Sequence, residues 1–168
     1  MHYVIDTVLS DFATEVINLY HQDLKCLRIA YLFRPKAIIS NNKVTVGKAI
    51  KVDDRNWTLH GIDAIIEIAQ DVWLKASVDF RKALMDHELS HIQVIKDSDD
   101  NVIQDENSNR IRIKLRSHDI EEFAHVLNRH GAYHEQLEAF LAAHVESKDE
   151  AGLPVTDLTF AFQNLPSL

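Results

Sequence analysis

The stretch Ala83-Leu84-Met85-Asp86-His87-Glu88-Leu89-Ser90-His91-Ile92 decides the reading of this chain. It contains His-Glu-x-x-His, and the spacing has a mechanical reason. Residues four apart share one face of a helix, so His87 and His91 can present two imidazole nitrogens to a single metal ion. Glu88, one residue round from His87, reaches the same edge without being a ligand. A zinc ion in such a place acidifies water, and a neighbouring carboxylate takes the proton as the water attacks a carbonyl. With 10 His in 168 residues, composition alone produces the pattern in roughly a few per cent of such chains. Context therefore carries the weight. From Ala76 to Ile92 there is no Gly or Pro. Phe80, Leu84, His87 and His91 form one stripe, and Val78, Met85, Leu89 and Ile92 another. The pattern predicts a helix packed on two faces. Burying two His and a Glu there is costly unless something pairs them, and a metal would.

Working outward, length and composition set the frame. The 168 residues suffice for one domain with a real core, and 46% hydrophobic against 26% charged residues is ordinary for a globular chain. We assign residues 1–145 to that domain and 146–168 to a C-terminal tail. The single cysteine, Cys26, cannot form an internal disulfide and reads as a small packed residue. Asp6, Asp11 and Glu15 interrupt any leader-like pattern, and no apolar run is long enough to span a membrane, so a cytoplasmic location is expected. The net charge of −8 argues against general nucleic-acid binding. One asymmetry qualifies this. Leu24 to Val52 holds seven basic residues and no acid, leaving 11 basic residues against all 26 acidic ones elsewhere. A solvated face is the plainer account, and an anionic partner the alternative.

The other elements follow from periodicity. Val8, Phe12, Val16 and Tyr20 predict a helix over about 7–27, with Leu9, Ile17 and Leu24 beside the stripe and His21 on the surface. Arg28–Arg34 predicts a strand ending at Pro35. Asn41-Asn42 signals a turn, and Lys43–Val52 a second strand in which Gly47 marks a bulge or a close backbone approach. Asp53–Asn56 reads as a loop. Asp63–Ala69 predicts a third strand. By analogy with zinc peptidases, it takes the place of the sheet edge that pairs with an extended substrate. Lys96–Asn101 reads as a hairpin turn, since an EF-hand would need Gly where Val102 stands and Glu where Ser108 stands. Arg110–Arg116 alternates, with Ile111, Ile113 and Leu115 inward and four cations outward. Ser117 caps a helix whose stripe is Ile120, Phe123, Ala124 and Leu127, ended by Arg129-His130-Gly131. A last helix, about 133–145, turns Leu137, Phe140 and Leu141 inward.

A catalytic zinc takes three protein ligands and keeps one position open. Val94 stands where a metzincin would need Gly, which excludes that class. His118, where a strand gives way to a helix, leads the candidates for the third ligand. Glu122 or Glu121 come next, then His125. His130 and His134 are four apart, but Gly131 falls between them. Tyr133 or His134 could supply a donor for an oxyanion.

Several of these runs together resemble one family. Arg28–Arg34, Gly47-Lys48-Ala49, Ala64–Ala69, Ala83–His91 and His118–Phe123 resemble the phage metallopeptidase domain, over roughly residues 10 to 145. That family is similar to SprT-like and WLM-type zincins, in which a third His follows the helix motif with an aromatic residue a few positions on, as Phe123 follows His118. The resemblance implies an α+β, zincin-like fold: a small, mostly antiparallel sheet flanked by helices, with the His-Glu-x-x-His helix packed on it. It implies Zn2+ held by His87, His91 and His118, Glu88 as general base, and a protein or peptide substrate. It also implies a phage or prophage setting in a bacterial cytoplasm. The competing expectation is a phage-encoded binding or regulatory protein that contacts host protein or nucleic acid, with a structural or non-catalytic metal.

Overall fold

The computed structural model describes residues 2–40, 43–118, 129–132, 135 and 138–143. The chain divides into two compact units, Met1–Ser117 and His118–Leu168. The first begins with β1 (Val4–Ile5) and α1 (Thr7–Tyr20). The Asp6 carboxylate accepts the Val8 N–H at 2.9 Å and fixes where α1 starts. Of the expected stripe Val16 is buried and Phe12 packs against the core, as do Leu9, Ile17 and Leu24 beside it, whereas Val8 and Tyr20 at its ends are exposed and Ala13 joins the buried face. The helix stops at Tyr20, and a 3-10 turn over Gln22–Cys26 replaces its last stretch, leaving Cys26 exposed rather than packed.

β2 (Ile29–Arg34) is followed by β3 (Ile38–Ser40), β4 (Lys43–Thr45), β5 (Gly47–Lys51), α2 (Asp54–His60) and β6 (Ala64–Ala69). The main sheet has the order β1-β2-β6-β5. Only β2 and β6 run parallel; β1 on β2 and β5 on β6 are antiparallel. Lys43–Val52, read as one strand, breaks at Val46: β4 pairs with β3 in a hairpin of its own, and β5 joins the main sheet. The loop expected at Asp53–Asn56 is instead the start of α2, because the Asp53 carboxylate accepts the Asn56 N–H and caps it. β6 is not an edge. It is hydrogen-bonded on both sides, and the edge strands are β1 and β5.

After β6 come α3 (Gln70–Trp73), α4 (Val78–Ser90), β7 (Ile92–Val94) and β8 (Ile113–Leu115). In register, Phe33, Ile68 and Gly47 share one face of the sheet with Ile66 and Ala49. That face carries the core. Phe33, Ile66 and Ile68 pack with Leu9 and Val16 of α1, Met85 and Leu89 of α4, and Ile92 and Ile113 of the β7–β8 ribbon. Trp73 lies at its centre, edge-on to Phe12 and Phe33 at 5.1 and 5.9 Å between centroids. The hairpin turn at 96–101 is present, with the Asp97 N–H donating to Asn101 O at 2.9 Å. The alternation at 110–116 is only partly kept. Ile113 is buried, but Leu115 is exposed and Arg110 is buried.

Of the second unit, residues 129–130, 135 and 138–143 are helical, and Gly131 sits at φ 65°, the left-handed conformation that ends helices. Phe140 and Leu141, expected inward, are exposed. The turn at Asn41-Asn42, the stripe of Ile120, Phe123, Ala124 and Leu127, and residues 146–168 lie outside the described residues. The molecule is thus an α+β fold with a small, mostly antiparallel sheet. Among the described residues no helix is long and apolar enough to cross a membrane.

Candidate metal centre

The helix that carries the motif begins at a cap: the Ser77 hydroxyl accepts the Phe80 N–H at 3.2 Å. It then runs without Gly or Pro to Ser90, and His91 is its C-terminal cap rather than an interior residue. Two-faced packing is not what is found. Met85, Glu88 and Leu89 are buried, whereas His87 and Val78 are exposed, so the ligand side of the helix opens outward. Asp86 faces the other way and lies 2.6 Å from His21 Nε2. His21, expected on the surface, is a mostly buried tie between α1 and α4.

Two hydrogen bonds anchor the end of α4. The Arg116 N–H donates to His91 O at 2.7 Å, and His91 Nδ1 lies 2.7 Å from Arg116 O. A carbonyl only accepts, so in this hydrogen bond Nδ1 carries the proton, which makes Nε2 the nitrogen with a lone pair for a metal. The His87 and His91 rings stand 5.0 Å apart at 86°. His118 follows Arg116 by two residues. One ligand nitrogen from each of His87, His91 and His118 lies within 4.8 Å of the others. Tetrahedral zinc with Zn–N of about 2.0–2.1 Å wants its nitrogens roughly 3.4 Å apart. That spacing lies inside the 4.8 Å within which the three nitrogens fall. Three neutral imidazoles with an open fourth position is also the donor set such a metal takes at a catalytic site. Glu121, Glu122, His125, Tyr133 and His134 lie outside the described residues.

Glu88 turns inward, 4% exposed. Burial pushes its carboxyl up to about 7, against the opposing pull of His91, a hydrogen bond from the Ala49 backbone and the charge of Arg34. The backbone of β5 makes room for it. A Cβ on Gly47 would stand 2.2 Å from Glu88 Oε1. The close approach signalled by Gly47 is therefore that of the Glu88 side chain.

Arg34 escaped sequence reasoning. It ends β2 fully buried and donates from Nη2 to Thr45 O, while Nε and Nη1 find no hydrogen-bond partner among the described residues. Its only sequence signal is a cation closing an apolar strand just before Pro35.

Three imidazoles that could hold one metal ion, two of them four residues apart at the end of α4 with the buried Glu88 between them in sequence, give this chain the make-up of a metal-binding protein. The chain belongs to the putative phage metallopeptidase family, whose model matches residues 1–145. No curated protein and no solved structure matches it.

Proposed function

We propose that this protein is a zinc-dependent peptidase with zincin-like packing of α4 on the sheet. His87, His91 and His118 hold the metal, and Glu88 is the general base and then the general acid. The observation that carries the reading is the gathering of the three imidazole nitrogens within 4.8 Å. The inward carboxylate next to His87 adds the catalytic group. When bound, zinc supplies Lewis acidity, lowering the pKa of water and polarising a carbonyl oxygen. Glu88 takes the proton of the attacking water on its carboxylate and returns it to the leaving amine. Burial favours the protonated form of this carboxyl, the form from which the proton is returned to the leaving amine. The hydrogen bond to Arg116 O holds the His91 ring in one tautomer throughout. The substrate class is protein or peptide, and we place the activity in the bacterial cytoplasm.

Metal content per chain, on protein purified without added metal, tests this directly. Wild type and Glu88→Gln should carry near one zinc, with Glu88→Gln inactive. Glu122→Ala should keep the zinc and His118→Ala should lose it. Little zinc in wild type, with a fold indifferent to added zinc, would refute the reading and favour a binding protein. Full proteolysis by Glu88→Gln would refute the assigned role of Glu88.

A further inference from the structure

At the end of β5 away from Gly47 lies a cavity of about 530 Å³, bordered by Lys51, by α2 and by the chain leading into β8. That volume is in the range of small-ligand sites. None of His87, Glu88, His91 and His118 lines it.

Its walls are already engaged and held in place. The Arg110 guanidinium, 7% exposed, gives Nη1 to Asp54 Oδ1 at 2.7 Å and Nη2 to Val52 O at 2.5 Å, and lies 5.6 Å from the Trp57 ring. Trp57 Nε1 donates to Asp63 Oδ1 at 2.9 Å, so the indole plane is fixed. Asp105 turns its carboxylate onto its own loop, accepting from the Asn107 and Ser108 N–H groups and the Ser108 hydroxyl. Those bonds, and more weakly the nearby Arg112, hold its carboxyl below the usual range. Both acids at the cavity are therefore occupied. Lys51 and Arg112 are different. Both are exposed, both border the cavity, and neither forms an ion pair among the described residues. Ile95, Ile111 and Trp57 give the same cavity an apolar share of its otherwise polar lining. The side chains of Lys51 and Arg112 thus border one recess, Arg112 with the Asp105 carboxylate nearby.

We propose that this cavity is a binding site, separate from the metal centre, for a carboxylate or phosphate carried on a flat apolar body. Lys51 and Arg112 take the anion and the Trp57–Ile111 floor takes the body. Arg110 is the fixed wall that holds Trp57 in place. The site goes beyond the peptidase reading and needs no metal, so the failure of one leaves the other standing.

The experiment uses the full chain stripped of metal with chelator, with phenyl phosphate and hippurate as probes. Trp57 reports binding by fluorescence, since Trp73 is 2% exposed and enclosed by Phe12 and Phe33. Ligand-observed NMR reads the same titration without the indole. Both probes should bind saturably, with Kd on the order of 1 mM for ligands of this size. Inorganic phosphate should bind at least about tenfold more weakly, and benzylamine not at all. Lys51→Gln and Arg112→Gln should each weaken binding by about tenfold, Lys51→Arg should retain it, and Trp57→Phe should abolish the fluorescence change. Circular dichroism confirms that each variant is folded. Tighter binding of phenyl phosphate or of hippurate assigns the anion, and either supports the site. No saturation by NMR up to about 20 mM would overturn the proposal. Unchanged affinity in both Gln variants, or benzylamine binding as well as hippurate, would also overturn it.

Discussion

Gly47→Ala is the sharpest probe of how the Glu88 carboxylate, the proposed general base, is seated. The added Cβ would stand 2.2 Å from Glu88 Oε1, 2.6 Å from Cδ and 2.8 Å from Cγ. Gly47 is not among the positive-φ residues, so its backbone accepts Ala without strain. The whole penalty therefore comes from the Glu88 side chain. That side chain is 4% exposed and must withdraw by roughly 1 Å to regain van der Waals distance. Overpacking of this kind costs about 1–3 kcal/mol, and the reduced entropy of the unfolded chain returns about 0.4–1 kcal/mol. Removing Glu88 removes the obstacle, so in a Glu88→Ala background the same substitution becomes neutral or stabilising. Urea unfolding of wild type, both single variants and the double variant, all with chelator present, should give a coupling of about 1–3 kcal/mol. Gly47→Ala should also keep its zinc while losing about 100-fold in peptidase rate, since the ligands stay and the base moves. A coupling below about 0.5 kcal/mol would mean that Glu88 does not lie against β5 in solution.

Three further outcomes are expected. Burial pushes the Tyr31 phenol up to about 12, so the folded state holds its proton where the unfolded chain has lost it; stability is complete below pH 10 and falls by on the order of 2 kcal/mol between pH 10 and 12. Tyr31→Phe should flatten that alkaline limb in pH-dependent melting, and an unchanged limb would place the phenol in solvent. Arg34→Met should leave metal-free stability unchanged or raise it by up to about 2 kcal/mol, because a buried guanidinium with two unanswered donors costs more than a thioether of similar length; a loss of more than about 2 kcal/mol in urea would show that those donors are answered in solution. Ser77→Ala should lower the urea-unfolding free energy by about 1 kcal/mol through loss of the α4 cap, with zinc content unchanged, and no loss at all would argue against the cap.

What the sequence made legible was whatever is encoded over a few residues. Arg28–Arg34 and Asp63–Ala69 read as strands because β-branched and aromatic residues run together between turn signals, and β2 and β6 fall there. The motif helix was legible from its uninterrupted run. Errors arose where a local pattern admits two outcomes. Lys43–Val52 is one β-prone run, and nothing local says that Val46 divides it between two sheets. Asp53–Asn56 is polar enough for a loop, yet Asp53 at the head of the run is also a helix cap. The edge role imagined for β6 failed because strand order depends on which strands pair across a crossover, which no single strand records.

The candidate site divides along the same line. His87, Glu88 and His91 share one helical turn, and metal-ligand chemistry dictates their spacing, so one short motif displays them. His118 is 27 residues further on, and what brings it near is the pairing of Arg116 with His91. A strand ending at Leu115 hints at this, but only the fold fixes it. Gly47 announced a close approach without saying what approaches, and Arg34 could not be found by motif. What meets Gly47 is decided by the packing of α4 against β5, and what Arg34 donates to is Thr45, eleven residues on, so neither partner is recorded by the neighbours in sequence. A chain could therefore keep His-Glu-x-x-His intact and still displace the Glu88 side chain, the proposed base, through one methyl group on β5, which makes the contact of Gly47 with Glu88 a stricter test of the proposed mechanism than the motif alone.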